Sequence, residues 1–289
     1  MLGNIGIAVI LFLQGLSLAF EKIISGAANW RLHVIIQMFT FVVFPLIGLG
    51  LDRLMPMIWK AEPQSIRDGF LYLCVLPSTI STSVVLTAVA RGNTAGALFN
   101  AALSNIVGVI LTPVLVHLLM SRTGQSAQFA PLLLKIILLT LLPFTIGMAL
   151  RPFIKDRVDR HKVWNARISN AIILFIVYAA FCESIEHDIW NRYGALLTIQ
   201  TLALVIFIFI SVSLLVHVSC LLLRLSREDK IAAYFCSVKK TLAMGIPLAM
   251  LIFGDRADLS LILLPIMFYH PLQLFVNGVL ANQWSKLAP

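Results

Sequence analysis

The strongest chemical signal in this chain is a pair of adjacent lysines, Lys239 and Lys240, inside an otherwise apolar stretch. The segment Ile231–Phe253 is long enough to cross a membrane as a helix, and at about 1.5 Å per residue Lys239 lies roughly 12 Å from its start. That depth is close to mid-membrane, where an ammonium costs on the order of 3 kcal/mol, so two of them need a paired or functional role. Consecutive helical residues point in different directions, so the two lysines serve different partners. One is placed to bind an anionic substrate, with Thr241 beside it. The other sits where a cation would otherwise go, or titrates. Unwinding of the segment would instead let both reach water, which still puts a basic, water-filled cavity there.

A second constellation surrounds Pro77. This proline removes one backbone donor and releases the carbonyl a turn earlier, which hydrocarbon tolerates only where the chain lines a cavity or packs on protein. Immediately after it come the hydroxyls of Ser78, Thr79, Ser81, Thr82 and Ser83. Hydroxyls and freed carbonyls suit a small hard cation. The plainer alternative is that they ease helix packing and bond back to their own turn. Two later stretches add Asn100, Ser104 and Asn105, and then His270, Gln273 and Asn277. Asn100 with Ser104, and Gln273 with Asn277, are spaced four apart and share a helix face, so they line a site or bond between helices. His270, ahead of Pro271, is either a proton carrier or a hydrogen-bonding packer. Lys135 and Glu183 read as interfacial, and Gln14 and Gln37 as weaker polar candidates.

The elements that hold these residues are membrane helices. The chain has 289 residues, 60% of them hydrophobic and 12% charged, and a mean hydropathy of +0.94. A soluble domain of this size carries about twice that charge. The net charge of +9 is not gathered on one polar face, so nucleic acid is not an expected partner. Apolar segments fall near Leu2–Phe20, Leu32–Leu51, Gly69–Ala90, Thr94–Met120, Phe129–Leu150, Ala166–Glu183, Leu196–Leu223, Ile231–Phe253 and Leu259–Trp284, which predicts about nine membrane helices in one domain spanning 1–289. No signal peptide is evident. The cysteines (Cys74, Cys182, Cys220, Cys236) all lie in apolar segments and read as small buried hydrophobes.

Charge at the loops sets an expected orientation. One side collects Lys22, Arg31, Arg91, Arg151, Lys155, Arg157, Arg160, Lys162, Arg167, Arg224, Arg227, Lys230 and Lys286. The other has only Arg53, Lys60, Arg67, Arg122, Arg192 and Arg256. The first side is therefore expected to be cytoplasmic, together with the C-terminus, in a plasma (inner) membrane.

The chain also repeats itself. With a shift of 162 positions (234 − 72), Tyr72 meets Tyr234, Cys74 meets Cys236, Thr79 meets Thr241, Leu86 meets Leu248 and Gly92 meets Gly254. A pair of interrupted apolar segments in corresponding halves is a sequence sign of a transporter's binding site. The last four helices pair with the first four at an odd offset, so the halves insert upside down. The expected fold is all-α: a polytopic helical bundle with a five-plus-five inverted repeat, its first helix apparently missing, and crossed discontinuous helices in the core.

Several stretches resemble the bile acid:sodium symporter superfamily, in a divergent bacterial branch related to its seventh-type, calcium-regulating members. They are Trp30-Arg31-Leu32-His33, Phe70 to Thr79, Ala90-Arg91-Gly92-Asn93, Lys239-Lys240-Thr241-Leu242-Ala243 with Gly245-Ile246-Pro247, and Phe268-Tyr269-His270-Pro271-Leu272-Gln273. The resemblance implies a mobile panel (1–31 and 129–194) against a core (32–128 and 195–289), in which two broken helices cross and frame cation sites. Where sodium-coupled members carry a glutamate and a glutamine on the second broken helix, this chain has Phe235 and Lys239. The family's serine–asparagine pair falls somewhere among Ser81, Thr82 and Ser83.

The expected function is secondary transport of a small organic anion by alternating access, coupled to sodium, to protons or to neither. Lys239, Lys240, Thr241, Ser78, Thr79, His270 and Gln273 are the expected substrate-site residues. Ser81, Thr82, Ser83, Asn100, Ser104 and Asn105 are the candidates for a cation. The alternative is a non-transporting membrane regulator of ion (calcium) homeostasis on the same fold. Apart from a transported ion no metal or cofactor is expected. With no Ser–His–acid set and no paired mid-membrane carboxylates, no enzyme activity is expected either. The expected partners are an anionic small molecule and membrane lipid, with a homodimer allowed.

Overall fold

The computed structural model describes residues 2–17, 26, 28–59, 63–120, 129–186, 189–254 and 256–287, and among them all regular secondary structure is helical. In order these are α1 (Leu2–Ser17), α2 (Trp30–Ile58), α3 (Gln64–Val75), α4 (Ser81–Val89), α5 (Thr94–Met120), α6 (Phe129–Arg160), α7 (Lys162–Glu186), α8 (Ile189–Leu222), α9 (Arg227–Ser237), α10 (Leu242–Phe253) and α11 (Leu259–Lys286). Among the described residues six segments are long and apolar enough to cross a membrane: Trp30–Ile58, Thr94–Met120, Leu138–Arg160, Gly194–Leu222, Arg227–Phe253 and Leu259–Lys286. Ile5–Ser17 and Val163–Ala179 are apolar but shorter. The apolar segment Gly69–Ala90 is divided between α3 and α4, so neither piece reaches spanning length. Lys22, Lys60 and Arg122, and the side chains of Lys135, Glu183 and Arg192, lie outside the described residues.

Close backbone approach sets much of the packing. In hydrocarbon, helices associate through small residues that let their backbones touch. A Cβ on Gly15 of α1 would meet the Phe144 carbonyl oxygen at 2.1 Å, and one on Gly147 of α6 would meet that of Phe12 at 2.2 Å. The two glycines therefore notch α1 and α6 together. Likewise Gly108 of α5 leaves room for Pro77, whose Cβ a side chain there would meet at 2.7 Å. Helix α3 is buried along nearly its whole length, from Ser65 to Val75, between α2, α5 and α11.

Polar clasps close both ends of this core. At one end the Asp229 carboxylate accepts from Asn29 Nδ2 (2.7 Å) and Asn93 Nδ2 (2.8 Å). The same two asparagines use their oxygens to accept Leu32 N at the start of α2 and Gly96 N at the start of α5. One carboxylate in the first turn of α9 thus ties three helix starts together. At the other end Arg256 donates to Asp68 (2.8 Å) and twice to Asp258 (2.9 and 2.8 Å), and Ser65 also donates to Asp258. Arg67 pairs with Asp52 at 2.9 Å beside them. Burial raises the Asp258 carboxyl, but the hydrogen bonds from Arg256 and Ser65 outweigh it and hold it below its ordinary value.

Candidate functional site: two helix breaks that meet

Pro77 breaks the first segment as expected. It cannot donate to Leu73, and it forces Leu76 into an extended conformation (φ −70°, ψ 149°). The chain stays non-helical until Ser81. The second segment opens between Ser237 and Leu242, where Thr241 caps the new helix by accepting Met244 N (3.3 Å). The two openings face each other: Thr241 N donates to Pro77 O (3.0 Å), Ser78 Oγ to Cys236 O (2.6 Å) and Ser83 Oγ to Phe235 O (3.0 Å).

Backbone groups that lose their helical partner inside hydrocarbon must find another one, and here they do. Val75 O accepts from Thr112 Oγ1 (2.9 Å) and Ser78 O from Asn105 Nδ2 (2.8 Å), while Ser78 N donates to Ser104 Oγ (3.0 Å). Across the second opening, Val238 O accepts from Tyr269 OH (2.7 Å). Gln273 clamps both sides of one residue, accepting Lys240 N and donating to Lys240 O, each at 2.8 Å. Tyr72 OH donates to Gly245 O.

The two lysines are both 0% exposed and differ in everything else. Lys240 Nζ donates to Leu76 O (2.7 Å), Cys74 O (3.0 Å) and Thr40 O (3.2 Å), with the Phe44 ring 3.9 Å away. Lys239 Nζ has no hydrogen-bond partner among the described residues and lies 6.0 Å from the Phe235 ring centroid. Buried hydroxyls of Thr79, Thr82 and Ser237 also lack partners among the described residues. Thr79 and Ser237 adjoin the two ends of the Ser78–Cys236 bond, and Thr82 adjoins Ser83.

The structure gathers Ser78, Ser83, Ser104, Asn105, Lys240, Thr241 and Gln273 into this one network. His270 joins at its edge, with Nδ1 2.9 Å from Gln273 Nε2. Ser81 is exposed at the start of α4. Asn100 faces elsewhere, toward His33 Nδ1 (2.9 Å) and Gln37 Nε2 on α2. Asn277, one turn beyond Gln273, is fully buried, and neither of its amide atoms has a partner among the described residues.

Sequence reading passed over Thr40, Thr112, Tyr269 and the Asn29–Asn93–Asp229 clasp. Thr40 matters through its carbonyl, which carries no side-chain signature. Thr112 and Tyr269 are single polar residues in apolar runs, where such residues usually serve packing, and the clasp residues lie in polar turns far apart in sequence. A cavity of about 200 Å³ lies away from the breaks, among His217, Cys220, Arg227, Lys230, Ile231, Tyr234, Trp284 and Leu287. Among the described residues no group of three or more His, Cys, Asp or Glu could hold a metal ion.

Residues 1–286 match the model of the SBF-like CPA transporter family. The chain is 36% identical over 283 residues to the putative symporter YfeH of Escherichia coli (strain K12), covering 97% of this chain and 83% of that protein. It is 32% identical over 283 residues to sodium/bile acid cotransporter 7 of Mus musculus (96% and 81%). To the protein of that name in Danio rerio it is 30% identical over 282 residues (96% and 82%). With spanning helices, an interrupted pair at the centre and relatives alike along most of their length, this integral membrane protein belongs to the SBF-like CPA transporter family, within the bile acid:sodium symporter superfamily.

Proposed function

We propose that this protein is a secondary transporter that moves a small organic anion across the plasma (inner) membrane by alternating access, with the anion held between the two helix breaks. One observation carries the reading: a fully buried lysine amine, Lys239 Nζ, with no hydrogen-bond partner among the described residues. An unpaired charge at that depth is costly, and a ligand of opposite sign removes the cost. The surroundings suit an anion. Helices α4 and α10 both begin at the breaks, so their N-terminal partial charges are positive there. The free hydroxyls of Thr79, Thr82 and Ser237 supply donors. Ser78, Thr241, Gln273 and Asn105 act on the backbone of the breaks, which makes them positioning residues.

The wider architecture is read in the same way. The 162-position repeat pairs α3–α4 with α9–α10 as inverted halves (234 − 72). The glycine-notched pair α1–α6, with α7, forms the panel, and the remaining helices form the core. The basic loops face the cytoplasm. The E. coli and mouse relatives carry symporter and cotransporter in their names, which agrees with this reading.

Uptake of labelled carboxylate and sulfonate amphiphiles into proteoliposomes tests it. Wild type should accumulate at least one of them saturably, and Lys239→Met should fall to the protein-free background. Wild-type uptake by Lys239→Met would refute the site. Binding that never leads to accumulation would favour the non-transporting regulator.

A further inference from the structure

Three carbonyl oxygens converge on Lys240 Nζ, and each has lost its helical partner for a different reason. Leu76 O lies in the extended stretch after α3. Cys74 O would ordinarily receive Ser78 N, which is bonded to Ser104 Oγ instead. Thr40 O lies in a five-residue π turn, Phe39–Val43, where Phe44 N reaches back to Phe39 O. The next amide along is Pro45, which has no hydrogen to give. Oxygens aimed inward from broken helices are how membrane proteins hold small cations.

We infer that the Lys240 ammonium is a tethered cation: it fills, from within the chain, the oxygen cage that the helix breaks create, and the break region therefore takes no sodium. This rests on reading the breaks as the transport site, and it adds that anion movement there is independent of sodium. The stoichiometry of the contacts supports it. An ammonium has three hydrogens and no lone pair, and Nζ meets three carbonyls, at 2.7, 3.0 and 3.2 Å. A neutral amine would leave one of these contacts without a proton. The Phe44 ring, 3.9 Å away, covers another side with the π-face that favours a cation. Gln273 fixes the lysine backbone on both sides, which sets the point from which the side chain reaches the three oxygens. Although some relatives are named for sodium, a sodium ion does not fit where these oxygens are already taken.

Thermal unfolding of the full chain in detergent, compared in sodium chloride, potassium chloride and choline chloride at equal ionic strength, tests the idea. Wild type should melt at one temperature in all three, and a sodium-specific rise would overturn it. Lys240→Ala should melt several degrees lower and be restored by methylammonium or sodium at tens of millimolar, while Lys239→Ala shows no such restoration. A Lys240→Ala protein that melts like wild type and ignores both cations would also overturn it. If that variant yields no folded protein, the wild-type comparison decides. Chloride is constant across the three salts and no organic anion enters either measurement, so failure here leaves the anion site standing, and failure of anion uptake leaves this result standing.

Discussion

Lys239 and Lys240 share one depth and one degree of burial, yet their surroundings predict opposite responses to the same change. Replacing Lys240 by Met orphans three buried carbonyls, each worth about 1–3 kcal/mol when left unmet. The variant should melt well below wild type. Replacing Lys239 by Met removes a charge that has no partner, at a depth where an ammonium costs about 3 kcal/mol. That variant should melt at or above wild type while losing transport; a reversed order would disprove the assignment of roles. Asp258 gives a pH prediction at the same scale. Its folded carboxyl is held below the ordinary value, so it stabilises the fold above that value and loses the effect as pH falls through the folded one. Wild-type melting temperature should therefore decline below about pH 4, and part of that decline should vanish in Asp258→Asn. The lysines were legible in the sequence because charge at mid-helix is conspicuous. Thr40 was not, because its hydroxyl bonds back to Ile36 O (2.8 Å) as any packing threonine would, and only its carbonyl faces the site.

Among the helices, the first break was visible through Pro77, since a proline dictates both its own geometry and that of Leu76. The second has no proline within it. Only the lysines and the alignment with the first segment pointed to it, and Thr241 fixes where the new helix starts. The π turn in α2 left no trace in the pattern, because a one-residue slip inside Phe39–Val43 changes no hydrophobic residue into a polar one. Giving residue 45 an amide hydrogen, as in Pro45→Ala, offers Thr40 O a backbone donor in place of Lys240. The π turn of α2 should then extend by one bond, with melting temperature unchanged or higher, while anion uptake falls severalfold. Uptake equal to wild type would show that the turn is incidental.

For the molecule as a whole, the all-helical membrane class followed from composition, whereas the polar clasps at the two ends did not. Asp229, Asn29 and Asn93 are far apart in sequence and become one unit only after folding. Orientation remains a prediction from loop charge. A fluorescent protein fused after Leu287 should fold and fluoresce on the cytoplasmic side, and a periplasm-active reporter there should stay silent.

The stitching between the two breaks also constrains how such a molecule can move. Pro77 to Thr241, Ser78 to Cys236 and Ser83 to Phe235 are bonds between the very segments that would hold a passenger. Separating them would strip several amide groups at once in a setting without water, so α3, α4, α9 and α10 should travel as one rigid block. On the proposed alternating-access cycle, the sliding surface would then lie further out, toward α1, α6 and α7. Spin labels at Arg91 and Gly254 should keep a single separation through the cycle, while the distance from either to Leu150 takes two values.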